Sequence, residues 1–177
     1  ENNQLKSSKV EQTSGKAVRL IKDGRLGFAA STLVGGESKL VQAALQTAAF
    51  GEALPLQFAA PQAGARVRIY DQAIANMPIP RMVAMGREII DMLLAVDSSV
   101  QVNVEVRRSV QETTILNHTG TEAVFRRSPI ELTTEISRIE GDDVLLLYTL
   151  AGATTAEEDL LEYTRQLCHK LELSKRV

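Results

Sequence analysis

Histidine, cysteine and clustered charged side chains are the groups that could do chemistry in this chain, and there are few of them. The sequence holds two histidines, His118 and His169, and a single cysteine, Cys168. His118 precedes Thr119-Gly120 in a predicted turn, and neither histidine has a second ligand at a spacing typical of zinc sites. We therefore assign no catalytic, cofactor-binding or metal-binding residue to this sequence.

The adjacent pair Cys168 and His169 contains a nucleophile and a base, but it is not predicted to act as one. Consecutive residues on a helix point about 100° apart, so these two side chains cannot readily share a hydrogen bond. Cys168 continues an apolar helical stripe and is interpreted as a small core side chain. The stripe of Met82, Met85 and Met92 is likewise interpreted as core.

Glycine-rich and acidic segments also have structural explanations. Gly35-Gly36-Glu37-Ser38-Lys39 resembles a phosphate-binding loop in composition, but it lacks the required spacing of glycines, lysine and hydroxyl. Asp142-Asp143 is predicted to lie in a turn. Glu157-Glu158-Asp159 is predicted to lie in the first turn of the last helix, where negative charge favours the helix dipole.

Two arginine pairs form the remaining candidate site. Arg107-Arg108 and Arg126-Arg127 lie on predicted hairpin partners, so the four side chains could gather into a basic patch within roughly 10 Å. The favoured interpretation is that they are solvated charges balanced by Glu105, Glu112 and Glu122. No aromatic platform accompanies them, which argues against single-stranded nucleic acid as a partner.

Composition narrows the class of protein further. The chain has 177 residues, 44% hydrophobic and 24% charged, with a formal net charge of −2. This balance gives no electrostatic reason to expect nucleic acid or an anionic membrane as a partner. The longest apolar run, Val144 to Leu150, is too short to span a bilayer. One cysteine excludes an internal disulfide and fits a reducing compartment, so we predict a cytoplasmic location.

Residues 1–64 are predicted to form a first domain. Three strand-like runs cover Leu5 to Thr13, Lys16 to Lys22 and Arg25 to Thr32, and Asp23-Gly24 between the last two predicts a tight type I′ hairpin. A meander of three strands is therefore expected. A helix follows, with Gly51 as its left-handed cap, before an irregular connector up to residue 64. Its predicted apolar face consists of Leu40, Val41, Ala44, Leu45 and Ala48.

Residues 65–177 are predicted to form a second domain. A helix begins near Pro80, and the alternation from Val100 predicts a strand running to about Leu116, which returns after a turn as far as Ile136. A third strand covers Val144 to Leu150. A last helix follows, with Thr154 or Thr155 as its N-cap. Strands joined by tight turns, with helices before and after them, predict an α+β fold of mainly antiparallel sheets packed by segregated helices.

A succession of short motifs resembles the TldD/PmbA family, whose members are described as zinc metalloproteases and as modulators of DNA gyrase. The pieces similar to its first domain are Gly15 to Arg19, Asp23 to Thr32, Ala43-Ala44 and Ala48 to Gly51. The pieces similar to its middle domain are Ile69-Tyr70-Asp71, Met82-Val83 with Gly86, Arg107 to Val110, Asn117 to Gly120 and Arg126 to Ser128. The Phe50-Gly51 ending favours the PmbA-like type.

The resemblance implies a zinc-dependent protease built from two related subunits that acts on small or unfolded peptides. In that family one subunit type carries a His-Glu-x-x-x-His motif downstream of the region similar to this chain, and the other type lacks it. Neither this motif nor the large C-terminal domain is present here, so no family site residue can be transferred. Because Glu1 stands where an initiator Met would be expected, we expect a piece of a longer protein, with zinc in that protein or in its partner.

Two functional hypotheses follow from these observations. In the first, the chain is the non-catalytic N-terminal portion of a TldD/PmbA-type peptide-processing metalloprotease. It would form a homodimer or heterodimer with a TldD/PmbA-type subunit and contribute surface to a peptide channel. In the second, it is a structural or regulatory protein-binding module without protease activity. Reading the codons after Val177 would discriminate between them.

Overall fold

The computed structural model describes residues 3–33, 35–62, 64–65 and 67–175 and has the predicted α+β class. The chain divides into two compact units. Unit 1 comprises Glu1–Ser8, Ala63–Leu116 and Glu122–Val177, and unit 2 comprises Lys9–Gln62 and Asn117–Thr121. The sequence-based division into domains 1–64 and 65–177 stays a prediction.

Unit 2 is built on one hairpin and one helix. Strands β1 (Lys16–Lys22) and β2 (Arg25–Ser31) pair antiparallel. Asp23 and Gly24 between them have φ values of 52° and 72°, which confirms the tight hairpin predicted from this dipeptide. Helix α1 (Glu37–Ala48) packs on the hairpin. Its buried side chains are Leu40, Ala44 and Ala48.

The prediction of Gly51 as a left-handed helix cap is wrong. Ala49 ends α1 in the right-handed region, with φ −61°, and Gly51 has no positive φ. Gly51 is needed instead for close packing, because a Cβ atom there would lie 1.9 Å from the carbonyl oxygen of Leu26. The glycine was therefore correctly identified as structurally special, but for the wrong reason.

The predicted first strand over Leu5 to Thr13 is also wrong. Residues 5–15 form no strand, and the meander is reduced to the β1-β2 hairpin. Leu5 and Val10 are 61% and 79% exposed. The apolar residues that suggested a strand therefore have no sheet face on which to be buried.

Unit 1 contains the main core. Its elements in chain order are α2 (Gln72–Ala75), α3 (Ile79–Val96), β3 (Gln101–Arg108), β4 (Gln111–Leu116), β5 (Glu122–Arg127), β6 (Ile130–Glu140), β7 (Asp143–Ala153) and α4 (Leu161–Ser174). Strands β3, β6 and β7 form an antiparallel sheet in that order, and β4 pairs with β5 alone. Helix α3 contacts β3 and α4, and α4 contacts β7. The fully buried side chains of this core include Ile89, Leu93, Val102, Leu132, Ile136, Leu167 and Leu171.

The long hairpin predicted from Val100 to Ile136 is interrupted in both arms. Its first strand stops at Arg108 and resumes at Gln111, and its second strand breaks between Arg127 and Ile130. Pro129 lies in this second gap and has no N–H with which to continue the ladder. Its carbonyl oxygen accepts a 3.1 Å hydrogen bond from Ser109 N. Two separate sheets result instead of one continuous ribbon.

Helix α3 confirms the prediction, with Pro80 in its first turn, but the predicted N-cap of the last helix is wrong. Helix α4 begins at Leu161, after Leu160 as cap residue. The N–H of Thr154 and the hydroxyl of Thr155 both donate to the Glu158 carboxylate, at 3.2 Å. The threonines therefore order the loop before the helix rather than the helix end.

Candidate functional site

Each titratable group singled out in the sequence makes a structural contact within its own unit. The His118 ring stands edge-on to Phe58, with centroids 5.4 Å apart. Within unit 1, Nδ1 of His169 lies 4.0 Å from the Glu172 carboxylate. The Sγ of Cys168 lies 3.9 Å from the Met92 carbonyl oxygen. Burial, and after it the Glu172 carboxylate, raises the pKa of this thiol, which opposes a nucleophilic role.

These positions do not fit the zinc ion that the family resemblance implies. Among residues 3–33, 35–62, 64–65 and 67–175 no group of three or more His, Cys, Asp or Glu side chains could hold a metal ion. The imidazole of His118 packs on an aromatic ring, and the Cys168 thiol packs on the core. In the same described ranges no helix is long and apolar enough to cross a membrane.

The two arginine pairs do not lie on partner strands, as the sequence had suggested, since β3 pairs with β6 and β5 pairs with β4. The register places Arg107 opposite Glu131, and it places Arg126 opposite Glu112 on a different sheet. The Arg108 guanidinium donates to the Ala75 carbonyl oxygen. Arg126 forms an ion pair with Glu112, as expected for a solvated charge with a balancing partner. The register itself sets this spacing, because the two ladders continue the same antiparallel alignment on either side of the break.

Two of the family-like motifs meet at a buried hydroxyl. Ser128 is fully buried, and its Oγ accepts a 2.7 Å hydrogen bond from Asp71 N and donates a 3.0 Å bond to Asp71 O. The Asp71 carboxylate accepts from the N–H groups of Ala73 and Ala156. Hydrogen bonds from Ala156 N, and then from Ala73 N, hold the pKa of Asp71 below its usual value. The motifs therefore form a structural joint.

A third motif, Asn117 to Gly120, forms a second joint, within unit 2. Asn117 Nδ2, Thr119 Oγ1 and Thr121 Oγ1 all lie 2.7–2.9 Å from the carbonyl oxygen of Ala59. Asn117 Oδ1 accepts from the N–H groups of Thr119 and Thr121, each at 3.0 Å. Gly120 completes the turn with a φ of 90°. The turn is thereby fixed to the connector that contains Ala59.

One position on an outer edge of the main sheet is capped. Asn3, which has a φ of 64°, donates its N–H to the carbonyl oxygen of Val102 at 3.3 Å. Its Oδ1 accepts the N–H of Val102 at 2.9 Å. One residue thus satisfies both outward main-chain groups of Val102 on β3, and an incoming strand would have to displace it.

The outer edge of β2 in unit 2 is capped as well. Leu26 N donates to Glu52 O at 3.1 Å, and Leu54 N donates to Gly24 O at 2.9 Å. Further along the strand, the hydroxyl of Thr47 accepts the N–H of Phe28 at 3.0 Å and lies 2.9 Å from the Phe28 carbonyl oxygen. A helix side chain and a short extended segment therefore occupy this edge.

Strand β7 forms the contrasting edge, here called the open edge. It pairs with β6 along its whole length, and no hydrogen bond links the other side of its main chain to any other part of the chain that the structure describes. Asp143 is its sole charged residue, and it contains no proline. Edge strands are usually protected by charges, proline or bulges. Its outer face carries four apolar or aromatic side chains that are each 59–69% exposed, namely Val144, Leu146, Tyr148 and Leu150.

The β4-β5 hairpin, here called the arm, has two further unprotected edges. In the described part of the chain its main-chain ladder bonds join β4 to β5 only. An isolated two-stranded hairpin is only marginally stable in water. Its exposed large apolar side chains are Ile115, Leu116, Val124 and Phe125. The arm and the open edge are the surfaces of unit 1 best suited to receive another extended chain.

The sequence carries a signal for the open edge. Val144 to Leu150 is apolar at almost every position, and this run served only to exclude a membrane span. When helices cover only one face of a sheet, only every second side chain of its edge strand can be buried by them. An unbroken apolar run on the last strand therefore indicates a second contact surface.

The beginning of the chain is similar to a described protein family. Residues 1–49 match the family model of PmbA/TldA metallopeptidase domain 1. No curated protein matches the chain.

Solved structures extend the likeness to both units. The chain is similar to TldE from Thermococcus kodakarensis, with a TM-score of 0.78 and 16% sequence identity over 97% of this chain and 40% of that one. It is also similar to a proposed modulator of a DNA gyrase from Thermotoga maritima, with a TM-score of 0.75 and 15% identity over 98% of this chain and 40% of that one. At these identities the likeness establishes the fold. The chain spans about 40% of the length of either solved protein.

Proposed function

We propose that the chain is a member of the TldD/PmbA family, whose domain 1 model matches residues 1–49, and that it is the non-catalytic N-terminal portion of a peptide-processing zinc metalloprotease. It contributes dimer contacts with a TldD/PmbA-type subunit and surface to a channel for extended peptides. Zinc and the hydrolytic residues belong to the remainder of the longer protein or to the partner subunit. Unprotected strand edges are the observation that carries this proposal.

Strand edges suit a protease that accepts many sequences. An extended peptide added to an edge is held by its main-chain N–H and C=O groups, which every residue except proline supplies. The arm offers such groups along both Gln111–Leu116 and Glu122–Arg127. Its exposed apolar side chains, among them Ile115 and Phe125, add contacts without demanding a particular partner residue. The arm is therefore assigned to the peptide channel.

The binding of peptides to this chain can be tested with two probes of identical sequence. A fluorescent, unstructured decapeptide is compared with a copy in which alternate amides are N-methylated, so that the side chains stay and half of the donors are lost. Fluorescence anisotropy should show an affinity about tenfold lower for the methylated copy, and a scrambled peptide should bind like the original. Equal binding of the methylated and unmethylated peptides would contradict recognition through main-chain groups.

Catalysis is tested separately, in the protein and its partner. Peptide cleavage and zinc content are measured for the 177-residue chain, for the full-length gene product, and for that product mixed with a TldD-type subunit carrying His-Glu-x-x-x-His. We expect cleavage only where that motif is present. Hydrolysis with stoichiometric zinc in the chain alone would overturn the non-catalytic assignment. Binding without cleavage in every mixture would favour a regulatory or structural binding module instead.

A further inference from the structure

We propose that the turn Asn117–Thr121 is a latch, which keeps the arm ordered by bonding to the main-chain carbonyl oxygen of Ala59. In this role the turn positions the peptide-binding strands of the arm and makes no contact with the peptide itself. The inference rests on the assignment of the arm to peptide binding under the proposed function. It is carried by the contrast between the bare strands of the arm and its bonded ends.

The strands of the arm cannot account for its order by themselves. Within the described residues their ladder bonds join β4 only to β5, and a lone two-stranded hairpin is marginally stable in water. Every residue of β5 is exposed, and on β4 only Thr113 is half-buried. The arm therefore buries little surface of its own, and the bonds at its two ends supply the rest of its stability.

The base of the arm is bonded within unit 1. Ser109, just before β4, donates its N–H to the carbonyl oxygen of Pro129 at 3.1 Å. Ser128, just after β5, is fully buried and bonds to the main chain of Asp71 at 2.7 and 3.0 Å. These bonds hold the strands where they start and end. They leave the opposite end of the hairpin free to fray unless it is bonded as well.

The tip of the arm is held within unit 2. The chain leaves unit 1 after Leu116, makes the turn Asn117–Thr121 in unit 2 and returns at Glu122. Inside unit 2 the His118 ring stands edge-on to Phe58, with centroids 5.4 Å apart. Ring pairs in this arrangement attract each other beyond their burial. The turn is thus packed on the connector as well as hydrogen-bonded to it.

The hydrogen bonds of the latch converge on one acceptor. Asn117 Nδ2, Thr119 Oγ1 and Thr121 Oγ1 lie 2.9, 2.7 and 2.8 Å from the carbonyl oxygen of Ala59. A carbonyl oxygen has two lone pairs, so it accepts two of these three donors well. The hydroxyl of Thr119 can instead donate to Asn117 Oδ1, which lies 2.7 Å away. One donor is therefore redundant, and opening the latch requires the loss of two.

The connector that supplies this acceptor is itself bonded to β2. Leu26 N donates to Glu52 O at 3.1 Å, and Leu54 N donates to Gly24 O at 2.9 Å. Ala59 follows shortly after Leu54, so the acceptor belongs to a segment with one fixed end. The latch consequently joins the tip of the arm to the folded part of unit 2.

An open latch should leave the arm ordered for only part of the time. With the base still bonded, the ladder opens from the turn towards the base. A protein whose binding-competent state is fractionally populated binds its ligand in proportion to that fraction. The latch should therefore control both the exchange of the arm amides and the affinity of the arm for an extended peptide.

Thr119→Val with Thr121→Val opens the latch, because valine keeps the β-branched shape of threonine and lacks its hydroxyl. Hydrogen exchange of the 177-residue chain is followed at single amides by NMR. We expect exchange about tenfold faster, or more, at Ile115 and Phe125 on the two strands of the arm. Exchange at Ser109, at the base, should stay as it was.

Thr13→Val is the matched control. Thr13 is an exposed threonine of unit 2 outside the latch. The same chemical change there should leave exchange in the arm unaltered. Unchanged exchange at Ile115 and Phe125 when both latch hydroxyls are removed would overturn the proposal, and so would equal acceleration by Thr13→Val.

A disulfide across the arm separates positioning from contact. Asn117 N donates to Thr121 O at 3.1 Å, so by alternation Thr114 and Val124 form a non-hydrogen-bonded pair, with Cα atoms about 4.5 Å apart. This spacing suits a disulfide. Thr114→Cys with Val124→Cys, in a Cys168→Ala background, therefore links the strands whether or not the latch is closed.

Anisotropy of the fluorescent decapeptide then measures binding. Opening the latch should raise the dissociation constant about threefold or more without the disulfide, and by less than about twofold with it. Reduction should restore the difference. Binding that stays weak in the oxidised protein would show that the turn touches the peptide, and would overturn the positioning role. If the decapeptide does not bind the original chain, the proposed function fails, while the exchange experiment still decides whether the latch orders the arm.

Discussion

Ser128 Oγ lies 2.7 Å from the main-chain nitrogen of Asp71 and 3.0 Å from its carbonyl oxygen, so one buried hydroxyl satisfies both groups of a residue 57 positions away. The side chain of Asp71 in turn accepts from Ala73 N and Ala156 N. Three segments of unit 1 are thus joined at one point. Two of the motifs that resemble the family, Ile69-Tyr70-Asp71 and Arg126 to Ser128, thus contribute to one structural joint.

Ser128→Ala removes only the hydroxyl group and should therefore weaken the joint. It leaves the N–H of Asp71 without its acceptor in a buried position, which costs about 1–3 kcal/mol. Urea unfolding should show a lower midpoint with an unchanged slope. Ser98→Ala, at an exposed position, is the control and should leave the midpoint in place. Equal midpoints for Ser128→Ala and the original chain would contradict the role of the hydroxyl.

The ion pair between Asp97 and Arg138 should make the stability of unit 1 depend on pH. The Ser99 hydroxyl and N–H, and after them Arg138, hold the pKa of Asp97 below its usual value. The carboxylate lies 2.8 Å from Arg138 Nη1, and the two side chains are only 10% and 13% exposed. A depressed folded-state pKa means that the stabilisation is present above the unfolded-state pKa of about 3.9 and is lost as the pH falls through the folded-state value.

Asp97→Asn should therefore destabilise the protein near pH 7, by about 3 kcal/mol for loss of one member of a mostly buried pair. The difference from the original chain should shrink as the pH falls from about 4 through the depressed folded-state pKa of Asp97, where the original carboxylate also becomes neutral. Thermal unfolding at a series of pH values measures both effects. Asp91→Asn, on the exposed side of α3, serves as the control, and a pH-independent cost for Asp97→Asn would contradict the electrostatic explanation.

Gly27→Ala should disrupt unit 2. A Cβ atom at this position would lie 2.0 Å from the carbonyl oxygen of Ala44 and 2.9 Å from Cβ of Ala48, so α1 would have to move away from β2. We expect a cost of about 3 kcal/mol or more, because a backbone atom cannot yield as a flexible side chain does. Hydrogen exchange of the α1 amides is the measurement. Gly64→Ala meets nothing within 4 Å and should leave the exchange unchanged.

Asn117→Ala should loosen the turn of unit 2 by removing the acceptor of two N–H groups and a donor to Ala59 O. For an exposed turn the expected cost is about 1 kcal/mol, which corresponds to roughly fivefold faster amide exchange at Thr119 and Thr121. Asn117→Asp keeps the acceptor and loses the donor. Its amide exchange rates should therefore lie between those of the original chain and of Asn117→Ala. Identical exchange in all three proteins would show that the side chain does not hold the turn.

The sequence patterns predicted the elements whose signals are local. Alternation between Val100 and Val106 correctly indicated a strand, and Asp23-Gly24 correctly indicated a hairpin. The break in the long hairpin could also have been predicted, because Pro129 cannot donate to a ladder. The apolar alternation on both sides of Pro129 masks this break in the sequence pattern.

Other features depend on packing that no local pattern records. The role of Gly51 follows from its distance to Leu26 O, and the absence of a strand at 5–15 follows from the lack of a neighbouring sheet. The open edge of β7 is visible only once the strand order places β7 beside β6 alone. Which edges are capped likewise depends on contacts such as that between Asn3 and Val102, 99 residues apart.

The Asn3 cap also bears on how the chain folds. Closing a loop of this length is slow compared with forming the β6-β7 hairpin, whose strands follow each other directly in sequence. We expect β3 to join its sheet while Asn3 is still unattached, so that for a time both outer edges of the sheet can meet other chains. Newly made protein should therefore be most prone to aggregation during this interval, and slower synthesis at lower temperature should improve its yield.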